Sequence, residues 1–276
     1  MTAATRAVSL FVTALAVAAT LSWAGLHAQA RFEPTVGQEG KDVIWVPTPD
    51  ALVERMLDMV RLTPADSLID LGSGDGRTVI AAAKRGARAR GVEYNEDMVR
   101  LSRANAVRGR VESRAEFVKA DLFETDLSHA TVISMFLLPE LNLRLRPRIL
   151  ALEPGTRVVS NTFTMGDWVA DETATIGSGC SRWCTALLWI VPARVEGTWR
   201  SARGELRLEQ DYQFVSGTLT SDRGPLVITN GLLRGGQLAF TVDASRYAGR
   251  VLGNVITGSI SSGGRSEEWK AERVAR

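Results

Sequence analysis

The chain has 276 residues, 45% hydrophobic and 23% charged, the balance of a globular protein with room for one large domain and one small one. Its 33 basic and 31 acidic residues leave a formal charge of +2, which excludes a polycationic surface for nucleic acid. Two histidines and two cysteines are too few for a His-rich or thiolate metal centre, so no metal is expected.

Residues 1–30 stand apart. Arg6 precedes an almost wholly apolar stretch from Ala7 to Leu21, and the segment closes on Ala28-Gln29-Ala30, small residues at the positions a signal peptidase reads. A signal peptide is expected. The alternative is an uncleaved N-terminal anchor, because the stretch from Ala7 to Leu26 matches the length of a membrane span. On either reading the protein is exported (periplasmic or extracellular) or membrane-anchored through this segment, and Arg6 favours sending the body outward.

Residues 31–193 carry an alternating pattern. The stretch from Arg31 to Pro47 is polar and irregular, and reads as a lead-in. In the next segment Asp50 is placed to cap a helix with Val53, Met56, Leu57 and Val60 at helical spacing, ended by Pro64. SLIDLG reads as a buried strand that breaks into the glycines of GSGDG, and RTVIAAAKRG as a helix closed by Gly86. ARARGVEY follows as a strand, then a helix capped by Asn95 and stopped near Gly109. AEFVKAD and ATVISMF are further strands. PELNLRLRPRILAL is a helix that Pro147 is placed to split, and GTRVVSNTF is a fifth strand. Strands alternating with helices imply an α/β fold with a parallel sheet and helices on both faces. WVADETAT and CTALLWIVP read as a closing antiparallel hairpin around GSGCSRW. Within it, Cys180 and Cys184 are either a small disulfide loop or two ordinary thiols.

Residues 194–276 change texture. Short alternating runs such as ELRLEQ, QLAFTV and NVITGSIS are separated by glycine turns, which predicts a small antiparallel all-β domain, a barrel or a sandwich. GTW near its start and WKAER at its end resemble the paired Trp and basic residue that close one end of small ligand-binding barrels. This domain is expected to present a substrate, to bind an apolar ligand, or to stabilise the sheet edge.

The chemistry concentrates in LIDLGSGDGRTVIAAA. Asp70 ends a strand, and Gly72, Gly74 and Gly76 supply a turn in which φ can be positive and a ligand can approach the backbone. The amides opening the following helix are expected to face the same crevice, at the carboxyl ends of the strands. Glu93 ends the next strand and is placed to bind ribose hydroxyls. Asp75 within the loop would repel a pyrophosphate but suits a ligand bearing a sulfonium and an ammonium. Charge therefore favours S-adenosyl-L-methionine over a dinucleotide.

DLGSGDG and GVEYN resemble motif I and the acidic second-strand motif of class I methyltransferases. VPTP, DLGSGDGRTVIAAAKRG, GVEYN followed by SR, FLLP and TFTMGDW are similar, more narrowly, to a family of membrane-associated lysine methyltransferases. That family includes the enzymes acting on the adenine nucleotide translocase and on the ATP synthase, and the likeness runs from about Val46 to Trp168. The resemblance implies a Rossmann-like class I methyltransferase sheet. It implies cofactor binding by Asp70, Gly72, Ser73, Gly74, Asp75, Gly76, Glu93 and Tyr94, with Asp121 near the adenine. Phe136 and Pro139 in the loop after the fourth strand, with Glu140, Asn161 and Trp168, are candidates for lining the acceptor channel. FLLP is not the Asn/Asp-Pro-Pro-aromatic motif of amide and nucleobase amino methyltransferases, which argues against DNA N-methylation. The expected activity is protein-lysine N-methylation, at or near a membrane. Methylation of a small molecule or lipid, and an exported binding protein that keeps the fold without turnover, stay open. An exported body also needs a supply of a cofactor made in the cytosol.

Overall fold

The computed structural model describes residues 32–222 and 224–274, so the expected leader lies outside the described residues. The described residues from Pro34 onward form one compact unit.

The first helix, α1 (Asp50–Met59), buries Leu52, Val53, Met56 and Leu57 on one face. Its N-cap is Pro49, not Asp50, and no side chain caps it. Asp50 is the first helical residue, where its charge meets the positive end of the helix dipole. The helix stops at Met59 because Arg61 turns left-handed, φ 49°, before Pro64 is reached.

Five strands then alternate with three helices: β1 (Ser67–Leu71), α2 (Arg77–Lys84), β2 (Arg88–Glu93), α3 (Glu96–Arg108), β3 (Ala115–Lys119), β4 (Val132–Met135), α4 (Pro139–Ile149) and β5 (Arg157–Asn161). Asn95 caps α3 as expected, its side chain accepting from the amides of Asp97 and Met98. Pro147 does not split α4. It sits in the last turn of a helix that continues to Ile149, where only one backbone bond can be lost. Antiparallel strands β6 (Glu172–Thr175) and β7 (Thr185–Ile190) complete a seven-stranded sheet of order β3-β2-β1-β4-β5-β7-β6. The first five strands run parallel, and their carboxyl ends face one edge. One core lies between the sheet and α1, α2 and α3, and a second lies on the other face with Leu145 and Ile149 of α4.

Eight further strands, β8 (Gly197–Ser201), β9 (Gly204–Asp211), β10 (Phe214–Ser221), β11 (Gly224–Arg234), β12 (Gln237–Val242), β13 (Ser245–Leu252), β14 (Val255–Ser262) and β15 (Arg265–Arg273), close into an antiparallel barrel. Its inward residues are apolar at alternate positions, and Trp199, Phe240, Tyr247 and Trp269 fill the interior. The expected Trp–basic pair is formed: the Arg273 guanidinium lies 4.3 Å from the Trp199 ring. The barrel is tied to the sheet by Tyr212, stacked on Trp168 at 5.9 Å, and by buried Gln213, which donates to the Val169 carbonyl at 2.8 Å.

Candidate active site

A cavity of about 200 Å³ opens at the carboxyl edge of β1, β2 and β4. Asp70 of β1 is buried in its floor. Its only hydrogen-bond donor among the described residues is the Ser134 hydroxyl of β4, at 2.6 Å. Burial, opposed by that bond and reinforced by the negative charges of Asp75 and Glu93, pushes the Asp70 carboxyl up to about 7. A site that holds an ionised carboxylate at this cost suits a ligand that brings a cation.

The GSGDG loop is clamped onto the end of β2 and against itself. The amides of Gly72 and Ser73 both donate to the Val92 carbonyl, at 2.9 and 3.0 Å. The Gly74 amide donates to Glu93 Oε2 at 3.0 Å, and the Gly76 amide to the Ser73 carbonyl at 2.9 Å. The Arg77 amide donates to Asp75 Oδ1 at 3.3 Å. The loop amides of Gly72, Ser73, Gly74 and Gly76 are thus engaged within the fold, and of the amides opening α2 that of Arg77 is turned onto Asp75. Glycine is required here by contact as well as by conformation. A Cβ on Gly74, φ 53°, would stand 2.5 Å from Trp45 Nε1, and one on Gly76, φ 83°, would strike the Phe117 ring at 2.7 Å. The Ser73 hydroxyl is buried without a hydrogen-bond partner among the described residues.

Glu93 is held by two amides, Gly74 on one oxygen and Asn95 on the other at 2.9 Å, so its carboxylate is fixed at the cavity wall. Asp75 is engaged by Arg77, whose Nε and Nη2 reach its two oxygens at 3.0 and 2.7 Å. Its charge is thus compensated, and the negative charge offered to a cationic ligand is that of Asp70 and Glu93. Asp121 pairs with Lys41 at 2.5 Å and accepts from the Phe123 amide, which together hold its carboxyl below the usual range. Tyr94 is half exposed beside it, with the Lys41 ammonium 4.8 Å from its ring.

The acceptor candidates divide. Phe136 lines the cavity, stacked on Phe163 at 5.9 Å and edge-on to Trp183 at 5.9 Å. Pro139 and Glu140 open α4 outside the lining, Glu140 exposed. Asn161 is buried behind the wall, where its amide contacts the Thr48 hydroxyl at 3.3 Å. Trp168 is 1% exposed and packs on Trp189 and Tyr212, so it joins sheet and barrel and does not reach the cavity.

Sequence reasoning missed the front wall. Residues 38–47, within the stretch read as a lead-in, fold with Thr48 over the GSGDG loop: the Gly37 amide donates to the Trp45 carbonyl and the Trp45 amide to the Gln38 carbonyl, both at 2.9 Å. The aromatic and apolar residues of VIWVPTP were the available signal. Trp183 was missed as well. It is carried on a loop closed by a disulfide between Cys180 and Cys184, the first of the two alternatives left open for that pair.

A model of the ANTKMT methyltransferase domain matches residues 70–172. A protein-lysine N-methyltransferase of Saccharolobus islandicus (strain REY15A) is 43% identical over 140 residues, half of this chain and 87% of that one. The adenine nucleotide translocase lysine N-methyltransferase of Mus musculus is 36% identical over 132 residues, 47% of this chain, and the chain spans about half its length, 56%. The crystal structure of an RNA methyltransferase from Salinibacter ruber, solved with S-adenosyl-L-homocysteine, is 43% identical with a TM-score of 0.51. That likeness covers 54% of this chain and 96% of the other.

Proposed function

The chain belongs to the ANTKMT methyltransferase domain family, whose methyl donor is S-adenosyl-L-methionine, and on that premise we propose that its acceptor is the side-chain amine of a protein lysine. The observation that carries this reading is the charge of the cavity. Its lining includes the carboxylates of Glu39, Asp42, Asp70, Asp75, Glu93 and Asp121 against only two cations, Lys41 and Arg77. Such a site attracts an amine and repels the phosphates of an RNA.

In this reading Asp70 takes the ammonium of the methionyl group, Glu93 the ribose hydroxyls, and Asp121 with Tyr94 the adenine end. Gly72, Ser73, Gly74 and Gly76 shape the turn, and Asp75 acts through Arg77. When bound, the cofactor supplies a methyl carbon already activated by its sulfonium, so the acceptor need only be neutral and in line. The protein's share is alignment and exclusion of water, and Phe136, Leu137 and Leu138 form the apolar wall that would do both.

The location remains part of the proposal: a body that is exported, or anchored through residues 1–30, in an oxidising compartment. The Cys180–Cys184 bridge supports it. The test is calorimetric titration with S-adenosyl-L-methionine and S-adenosyl-L-homocysteine, followed by mass spectrometry of membrane and soluble proteins incubated with enzyme and cofactor. Micromolar binding that Glu93→Ala abolishes, with new methyl-lysine in the wild-type reaction alone, is the expected result. Methylation confined to RNA or to small molecules would remove the lysine assignment.

A further inference from the structure

Three aromatic rings from separate elements meet at the cavity. Phe136 follows β4, Phe163 follows β5, and Trp183 sits at the tip of the β6–β7 hairpin. Phe136 is the centre, 5.9 Å from each of the others, stacked on Phe163 and edge-on to Trp183. Neither Phe136 nor Phe163 is buried, and Trp183 is 37% exposed, so these rings are not packed away as core.

Trp183 is also held where an indole would not rest by itself. Its backbone is left-handed, φ 54°, a conformation that is costly for a non-glycine residue and persists only when the surroundings enforce it. The Cys180–Cys184 bridge encloses it in a five-residue loop, and β6 and β7 pair directly behind. The Arg182 guanidinium, from the preceding residue of the loop, lies 6.0 Å from its ring. The acidic lining beyond adds a negative potential.

Resting on the lysine reading above, we propose that Phe136, Phe163 and Trp183 form an aromatic box for an alkylammonium, with Trp183 the specificity-determining residue and the disulfide loop its support. Ring faces attract cations, most usefully methylated ones, whose weak hydration makes them cheap to bring out of water. The box therefore favours the lysine head that has already received a methyl group. Mono- and dimethyl-lysine are held there as ammonium ions while S-adenosyl-L-homocysteine is exchanged for fresh cofactor. The nitrogen then gives its proton to solvent and forms the new N–C bond as the S–CH3 bond breaks, and the trimethylated state accumulates.

The test uses the full chain saturated with S-adenosyl-L-homocysteine. It is titrated with Nα-acetyl-trimethyl-lysine amide and with the neutral isostere in which carbon replaces the quaternary nitrogen. The wild type should bind the cation at least about fivefold more tightly than the isostere, a preference typical of cation–π recognition. Trp183→Ala should lose that preference, Trp183→Phe should keep most of it, and Cys180→Ser with Cys184→Ser should weaken it. Affinity for S-adenosyl-L-homocysteine should stay constant in all three variants. In methylation assays Trp183→Ala should raise KM more than it lowers kcat and shift products toward monomethyl-lysine.

Equal binding of cation and isostere by the wild type, or full preference in Trp183→Ala, overturns the box. Full preference in the double cysteine variant overturns the role of the loop. A chain that binds the cation through Trp183 yet methylates no lysine sinks the lysine reading and leaves the box standing for another amine.

Discussion

Inside the barrel, Phe240 stacks on Tyr247 at 4.7 Å, Trp269 meets both rings edge-on, and the Trp199 and Trp269 indoles donate to backbone carbonyls at 2.7 and 3.2 Å. The carboxyl edge of the sheet is built on opposite terms. There a buried carboxylate stands beside two others, a glycine loop spends its amides on the end of β2 and on itself, and three aromatic rings remain partly exposed. The barrel maximises burial and pairs its buried indoles, whereas the edge accepts electrostatic and backbone cost. Such costs persist in a fold where a ligand makes them good.

The largest expected effect breaks the comparison on the stable side. Trp199→Ala removes a fully buried indole from the barrel and should cost about 3–5 kcal/mol, lowering the melting temperature by roughly 10 °C. Affinity for S-adenosyl-L-homocysteine, measured well below the melting point, should stay within about twofold. A folded variant that lost the cofactor would show that barrel and edge are not separable.

Asp70→Asn tests the costly side and should act in the reverse sense. Cofactor affinity should fall by about 10- to 100-fold, the worth of a buried charge-assisted hydrogen bond. The Asp70 carboxyl is held up at about 7 in the folded protein, so protonation stabilises the fold. Its contribution is present at low pH and is lost as pH rises from the ordinary carboxyl range through about 7. The ligand-free Asn variant should lack that decline and, above about pH 7, exceed the wild type in thermal stability. Binding runs the other way, because a cationic ligand needs the ionised form. Wild-type affinity should rise about tenfold per pH unit up to about pH 7 and then level, while the variant should stay flat. Calorimetry with S-adenosyl-L-homocysteine across this range, beside melting curves, measures both, and parallel pH profiles for the two proteins would refute the assignment.

The smallest effect sharpens the boundary of the site. Lys41 pairs with Asp121 across the front wall, both side chains partly exposed, so Lys41→Ala should change stability by less than about 1 kcal/mol. Because Asp121 is then released from its partner, cofactor affinity should shift by only about twofold in calorimetry. A loss comparable to that of Asp70→Asn would make the front wall a principal part of the binding site.

Much of this was legible in the chain. DLGSGDG set the glycine turn and placed Asp70 at a strand end. GVEYN placed Glu93 and the Asn95 cap, and two-residue alternation after Pro192 announced antiparallel strands. These are local matters: backbone freedom at glycine, capping geometry and burial on one face of a strand act within a few residues and so leave marks in sequence. Asp50 and Pro147 misled because each local rule had a neighbour that overrode it, Pro49 in one case and the nearby helix end in the other.

Other features were decided only by assembly. The pairing of Asp75 with Arg77 follows from local placement, but the loss of Trp168 and Asn161 to the core depends on where the barrel and Thr48 come to rest. The folding of residues 38–48 across the cavity, and the meeting of Phe136, Phe163 and Trp183, join segments far apart in the chain. Sequence determined which residues could bear charge, turn or stack. Which of them share one cavity was set by the sheet, because parallel strands bring distant loops to the same edge and their order depends on the packing of the whole core.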